Sequence, residues 1–91
     1  MIYKVKYTLR GQTTEITKLL RTEVLEEALE QFKDLTRSFN KDLYYYMHLQ
    51  EYKQVKGKDV FVRTIDSDYG TYINEFSQRN EQRRTRRTEQ I

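Results

Sequence analysis

The hydrophobic and polar residues near the start of the chain alternate with a period of two. Over residues 2–10, Tyr3, Val5, Tyr7 and Leu9 face one way and Lys4, Lys6, Thr8 and Arg10 face the other. This alternation predicts a β-strand with one buried and one exposed side. Gly11-Gln12 supplies a turn, and residues 13–20, which are rich in β-branched side chains, predict a second strand that closes a hairpin.

The apolar spacing changes to three and four between residues 22 and 40, which predicts an amphipathic helix. Thr22 stands where a helix N-cap is expected, and acidic residues follow it in the first turn. Asn40 stands where a left-handed residue would end the helix. The predicted apolar stripe consists of Leu25, Ala28, Leu29, Phe32, Leu35 and Phe39.

The second half of the chain repeats the pattern of two strands and a helix. Period-two alternation returns over residues 43–55, Lys56-Gly57 predicts a hairpin turn, and residues 60–65 predict a short apolar strand. The polar residues 66–68 would cap a second helix that begins at Tyr69. The order ββαββα predicts an α+β domain: an antiparallel sheet with one helix packed on it and a C-terminal helix that extends past the body.

Composition restricts the classes of protein to which the chain can belong. Its 91 residues suffice for one domain with a modest core, and twelve aromatic residues, eight of them tyrosine, argue against disorder. The absence of cysteine excludes disulfides and thiolate metal sites. No apolar run approaches the about 20 residues of a membrane span. We therefore expect a cytoplasmic protein that does not interact with membranes.

The net charge is concentrated at the C-terminal end. Of seventeen basic and fourteen acidic residues, five arginines and two glutamates lie within residues 79–91, which leaves twelve of each sign before them. This separation predicts a neutral body, residues 1–78, and a basic extension of the last helix, residues 79–91. A basic end on a neutral body is typical of proteins that bind a polyanion.

Helical periodicity places the arginines of this extension on the same stripe as the apolar residues before them. At about 100° per residue, Tyr69, Tyr72, Ile73 and Phe76 share one sector, which the arginines then continue. Arginine suits phosphate because its planar fork donates two hydrogen bonds and stays charged. The alternatives are a solvated end without a specific role and a protein-binding or self-association surface. The candidate phosphate ligands are Arg79, Arg83, Arg84, Arg86 and Arg87.

The third predicted strand carries an unusual run of tyrosines. Strict alternation puts Leu43, Tyr45, Met47 and Leu49 on one face and Tyr44, Tyr46, His48 and Tyr52 on the other. The first face is apolar enough to be core. Exposed rings on the second face could stack on nucleic-acid bases. The same face could instead be covered by the second helix or form a dimer interface, where tyrosine is enriched.

Residues with catalytic or metal-binding chemistry are sparse. His48 is the single histidine, and no serine or cysteine pattern accompanies it as a nucleophile. Asp66 and Asp68 could hold a cation with Glu75, but two carboxylates before a helix are more often caps. We therefore expect no enzyme activity, no cofactor and no metal.

The function predicted from the sequence is nucleic-acid binding. The arginine face would contact phosphates of DNA or RNA in a largely sequence-tolerant way, and Tyr44, Tyr46 and Tyr52 would add stacking. The alternative is a protein-interaction module, such as an inhibitor or adaptor of a host protein, which acts through the tyrosine-rich strand or the last helix. A homodimer is a further expected partner state.

One stretch of the chain has a generic resemblance. A short hairpin followed by L-E-E-A-L-E-Q-F, in a proline-free chain rich in lysine and tyrosine, resembles many small phage and mobile-element proteins. The resemblance covers about residues 1–35 and implies a phage or mobile-element origin. It implies no particular family.

Overall fold

A single antiparallel sheet of four strands, with a helix on one face, forms the body of the protein. The computed structural model describes residues 1–76. The sheet has the strand order β2-β1-β3-β4. The predicted α+β class is confirmed, and a further helical turn begins at residue 73. The elements are β1 (Ile2–Leu9), β2 (Ile16–Leu19), α1 (Leu25–Ser38), β3 (Tyr44–Val55) and β4 (Lys58–Tyr69).

The hydrophobic core lies between α1 and one face of the sheet. Val5 pairs with Leu49 and Tyr7 with Met47, so the apolar positions of the two central strands lie side by side. α1 covers them through buried residues of its predicted stripe. The buried residues of this core are Tyr3, Val5, Leu20, Ala28, Phe32, Tyr44, Met47 and Leu49.

The ends of α1 differ from the predicted caps. Val24 occupies the N-cap position, and Thr22 lies two residues before it, where its hydroxyl accepts a hydrogen bond from the Val24 N–H at 3.1 Å. At the other end Phe39 is extended and directs its ring at Tyr7, 6.0 Å between centroids. Asn40 does not adopt the predicted left-handed conformation. Packing of Phe39 into the core therefore ends the helix.

β4 is longer than its apolar residues predicted. It runs from Lys58 to Tyr69, so residues 66–68 belong to the strand and do not cap a helix. Polar partners compensate for their lack of apolar side chains: the Tyr44 hydroxyl donates to Asp68, and Ser67 lies 2.6 Å from His48. The second helix consequently begins four residues later than predicted.

A tight junction connects β4 to this last helical turn. The Gly70 N–H donates to the Tyr45 carbonyl at 2.9 Å, and the Thr71 N–H donates to the Lys41 carbonyl at 3.0 Å. A side chain at position 70 would collide with the Tyr44 carbonyl oxygen, so only glycine fits here. The predicted boundary between body and extension at residue 78 lies outside the described residues. Within residues 1–76 no helix has the length and apolarity needed to cross a membrane.

Candidate nucleic-acid interface

The sheet face opposite α1, here called the open face, carries two of the predicted binding residues, Tyr46 and Tyr52. The even-numbered side chains of β1 and of most of β3 point to it, together with their cross-strand partners on β4. Its residues are Lys4, Lys6, Thr8, Tyr46, His48, Gln50, Tyr52, Phe61, Ser67 and Tyr69.

A β-bulge changes which tyrosines reach the open face. The register between β1 and β3 shifts at Thr8/Leu9, so that Tyr46 lies opposite Thr8 but Tyr44 lies opposite Leu9. An extra residue on one strand moves the following side chains to the other side. The assignment of Tyr44 to the binding face is therefore wrong: its ring is completely buried in the core under α1.

The same bulge displaces the residues predicted to be core at the start of β3. Tyr45 is completely buried, but its ring packs on Phe76 at 5.2 Å and lies outside the core cluster under α1. Leu43 is 55% exposed. Strict alternation holds from Tyr46 onward, where Met47 and Leu49 are core as predicted.

Tyr52 lies at the opposite end of the open face and is covered by lysine side chains. Lys4 Nζ lies 4.6 Å and Lys6 Nζ 5.8 Å from its ring centroid, and the residue is 6% exposed. Phe61 contacts it edge-on at 5.7 Å. Hydrogen bonding to Tyr52, followed by Glu15, raises the pKa of Lys6 above its ordinary value. A base cannot stack on Tyr52 in this conformation, because the two lysine side chains occupy the space over its ring.

Tyr46 and His48 form a half-buried aromatic cluster in the middle of the open face. Their rings are stacked with 4.7 Å between centroids, and Tyr69 meets the imidazole edge-on at 6.0 Å. His48 Nδ1 lies 2.6 Å from Ser67 Oγ. Burial lowers the pKa of His48, so the imidazole is neutral at pH 7. The imidazole therefore packs between Tyr46 and Tyr69 on the open face.

A carboxylate contacts this cluster through the Tyr46 hydroxyl. Glu15 accepts a hydrogen bond from the Tyr46 hydroxyl at 2.6 Å and lies 3.8 Å from Lys6. Within residues 1–76 no hydrogen bond joins it to His48, so the Ser67–His48 contact lacks the carboxylate that would complete a triad.

The chain returns to the open face after β4. The Phe76 ring contacts Tyr46 at 5.7 Å as well as Tyr45, and the Arg10 guanidinium lies 3.7 Å from the Tyr72 ring centroid. Arg10 also lies 3.7 Å from Glu75. The last helical turn is thus held against one end of the face. The predicted phosphate ligands Arg79, Arg83, Arg84, Arg86 and Arg87 lie outside the described residues.

β3 and β4 are joined by an exposed hairpin, here called the hairpin arm, residues 53–64, of which residues 53–60 extend past β1 as a two-stranded ribbon. All of its residues are exposed. Lys56 and Gly57 both have positive φ, 52° and 78°, as the two-residue turn predicted at this position requires. Four large apolar side chains of the arm are 41–52% exposed, namely Val55, Val60, Phe61 and Val62.

The hairpin arm carries lysines that sequence reasoning missed. Lys53, Lys56 and Lys58 have no acidic partner within ion-pair distance in the described part of the chain, whereas Lys4 lies 2.8 Å from Asp59 and Lys41 lies 3.8 Å from Asp68. The run K-Q-V-K-G-K was the available signal. The same run also predicts the strand and turn, so its charge alone does not distinguish it from an ordinary exposed hairpin.

The acidic residues considered as metal ligands are involved in structural contacts. Asp68 accepts from the Tyr44 hydroxyl, Asp66 accepts from the Ser67 N–H at 2.8 Å, and Glu75 contacts Arg10. Among residues 1–76 no group of three potential ligands surrounds a common point.

Comparison of the chain with protein-family models, curated proteins and solved structures found no match.

Proposed function

We propose that this is a small, non-enzymatic protein that binds nucleic acid through the arginine side chains of residues 79–91. The observation that carries the proposal is the separation of charge. Twelve basic and twelve acidic residues balance over residues 1–78, and five arginines against two glutamates follow. Basic side chains that neutralise phosphates release counterions, which is the main source of sequence-tolerant affinity.

The contacts of the body support this assignment of the charge. Lys4, Lys6 and Arg10 each lie within 4 Å of a carboxylate oxygen, so much of the positive charge of the sheet is already compensated. A phosphate that displaced these carboxylates would have to break existing ion pairs. Arginines in excess over acidic residues offer contacts without that cost.

The position of the last described turn connects the arginines to the open face. Phe76 packs on Tyr45 and Tyr46, and Arg79 follows Phe76 by three residues. Since three residues of chain reach at most about 11 Å, a phosphate held by Arg79 would lie near this end of the sheet.

Few of the tyrosine rings predicted to stack on bases are accessible. Of the three tyrosines predicted to stack, Tyr44 is buried in the core and Tyr52 is 6% exposed. Tyr46 remains half-buried against His48. The proposed mode is therefore phosphate contact, with little reading of bases. A cytoplasmic location and a phage or mobile-element origin belong to the same proposal.

A specific observation favours the alternative function, a protein-interaction module. The hairpin arm exposes four large apolar side chains, Val55, Val60, Phe61 and Val62, and exposed apolar side chains that lie close together often mark an interface. This surface differs from the predicted one, because most of the tyrosine-rich strand is buried or covered.

Truncation tests the proposed function directly. We expect the full chain to bind single- or double-stranded DNA or RNA at low salt, and a chain that ends at Gln78 to lose most of that affinity. The cut lies two residues beyond Phe76, so the contacts of the last turn are retained. The logarithm of the association constant should fall with the logarithm of salt by about 0.9 per phosphate contacted on duplex DNA.

Two full-length variants serve as matched controls. Changing all five arginines to lysine retains the charge and should retain most of the salt dependence, whereas changing them to glutamine should lower the salt slope by about 0.9 for each phosphate that the arginines contact. Binding by the full chain that is independent of salt, or equal binding by the truncated chain, would contradict the role of the arginines.

A further inference from the structure

We propose that the hairpin arm is a second contact element, which lies in the major groove of duplex DNA. The inference rests on the proposed function and names its ligand: B-form DNA in preference to single strands or duplex RNA. Three observations support the proposal: the shape of the hairpin arm, its lysines without an acidic partner among the described residues, and the irregular edge of β4.

The shape of the arm matches the groove. Neighbouring strands lie about 4.8 Å apart. In the tip of the arm, residues 53–60, the two strands pair only with each other, and no third strand or helix of the described structure adjoins them. The major groove of B-DNA is about 12 Å wide and admits a two-stranded ribbon, whereas the major groove of A-form RNA is too deep and narrow for side chains to read. Because the turn at Lys56-Gly57 is short, the tip of the arm is narrow enough to enter the groove first.

The charge of the arm is complementary to DNA. Residues 53–63 contain four basic residues and one acidic residue, although residues 1–76 as a whole are balanced at twelve of each. The remainder of the body is therefore net acidic, which would orient a polyanion toward the arm. Lys53, Lys56 and Lys58 have no described acidic partner, so phosphate contact breaks no ion pair.

The apolar side chains of the arm are consistent with the same ligand. The major groove presents the thymine methyl group, and apolar side chains contact it. Phe61 is 52% exposed and points to the open face beside Tyr52. These contacts would add modest preference without a base-specific hydrogen bond.

The edge of β4 is poorly suited to pairing with a strand of a second chain, which would be an alternative to DNA at this surface. β4 is an edge strand, but its register with β3 shifts twice, between Leu49/Gln50 and between Glu51/Tyr52. Bulges of this kind twist an edge and interrupt its row of hydrogen-bonding groups, which protects against strand addition. The exposed residues of the arm are thus better placed to enter a groove than to extend a sheet.

The test compares two triple variants of the full chain on a 20-base-pair DNA duplex and on the same sequence as duplex RNA. Lys53, Lys56 and Lys58 are changed to glutamine in the arm variant. In the control variant, Lys18, Arg21 and Lys33, which are also exposed, are changed to glutamine. Both variants lose the same charge, so a general electrostatic effect is equal in the two. Circular dichroism and thermal unfolding verify that each is folded.

We expect the arm variant to reduce the salt slope on DNA by up to about 2.7, which is 0.9 for each of three phosphate contacts. The control should leave the slope nearly unchanged, and the unmodified chain should bind the DNA duplex at least tenfold more tightly than the RNA duplex. Equal effects of the two triple variants, or equal affinity for DNA and RNA, would overturn the proposal.

The outcomes separate this inference from the function on which it rests. If the full chain binds no nucleic acid at low salt, the proposed function fails and the arm proposal fails with it. If the full chain binds and truncation at Gln78 abolishes binding, but the arm variant has no effect, the arm proposal alone fails. A dimer in light scattering that Phe61→Asp dissociates, with DNA binding unchanged, would assign the arm to a second copy and overturn the DNA contact.

Discussion

Replacing Gly70 with alanine should strongly destabilise the protein, because backbone atoms fill the space that the methyl group needs. The added carbon would overlap the Tyr44 carbonyl oxygen and lie 2.6 Å from the Lys41 carbonyl oxygen. Ordinary carbon–oxygen contacts are about 3.3 Å or longer. Both obstacles are main-chain atoms, so a change of rotamer cannot relieve the clash.

The expected cost follows from what must move. Displacing the segment breaks the hydrogen bonds from the Gly70 and Thr71 N–H groups, each of which contributes about 0.5–1.5 kcal/mol net. Overpacking adds about 1–3 kcal/mol. The total is about 2–6 kcal/mol of unfolding free energy, a large fraction of the stability of a small domain.

Gly11→Ala is the matched control. Gly11 has a φ of +84° and no atom within 4 Å of the added carbon, so alanine there pays for the left-handed conformation alone, about 1–2 kcal/mol. Urea unfolding followed by circular dichroism measures both variants. Hydrogen exchange should also show faster exchange at Thr71, with protection retained in β1. Equal losses of stability for the two variants, with Thr71 still protected, would refute the close approach at Gly70.

Two further predictions concern the core and the open face. Phe32→Ala should lower the unfolding free energy by about 3–5 kcal/mol, because the ring is 2% exposed under the sheet. Phe76→Ala should lower it clearly less, because that ring is half-buried. Urea unfolding of both variants checks the order, and equal losses would contradict it. Burial lowers the pKa of His48, so this residue should make the protein less stable in mild acid. The contribution of His48 to stability is complete above the ordinary pKa of about 6.5. It is lost as the pH falls below that value, because the unfolded chain then takes up the proton more readily than the folded protein does. His48→Gln should lose less unfolding free energy than the unmodified chain between pH 7.5 and pH 5.5, and an equal loss would show that burial of His48 has no effect.

The sequence predicted those parts of the fold that depend on local periodicity. Alternation over residues 3–10 identified β1, the stripe through Phe32 identified α1, and Lys56-Gly57 identified the turn of the arm. In each case the pattern repeats over several residues, or the backbone geometry demands a particular residue type. Such signals are independent of what packs on them.

The candidate site was less predictable from the sequence. Alternation assigned Tyr44 to the binding face, whereas the bulge opposite Thr8/Leu9 moved it into the core. The polar residues 66–68 were interpreted as a cap, but their partners on β3 draw them into the strand. In both cases the decisive neighbours are at least 17 residues away along the chain, beyond the reach of any local pattern.

The sequence by itself determined the α+β class, the balance of charge over residues 1–78 and the arginine excess after them, because composition and period do not depend on packing. The tertiary structure decided which side chains are accessible. It buried Tyr44, covered Tyr52 with lysines and left the hairpin arm exposed, with three lysines that have no acidic partner among residues 1–76. The physical reason is that strand register and helix placement are set by long-range contacts, and a shift of one residue exchanges the two faces of a strand.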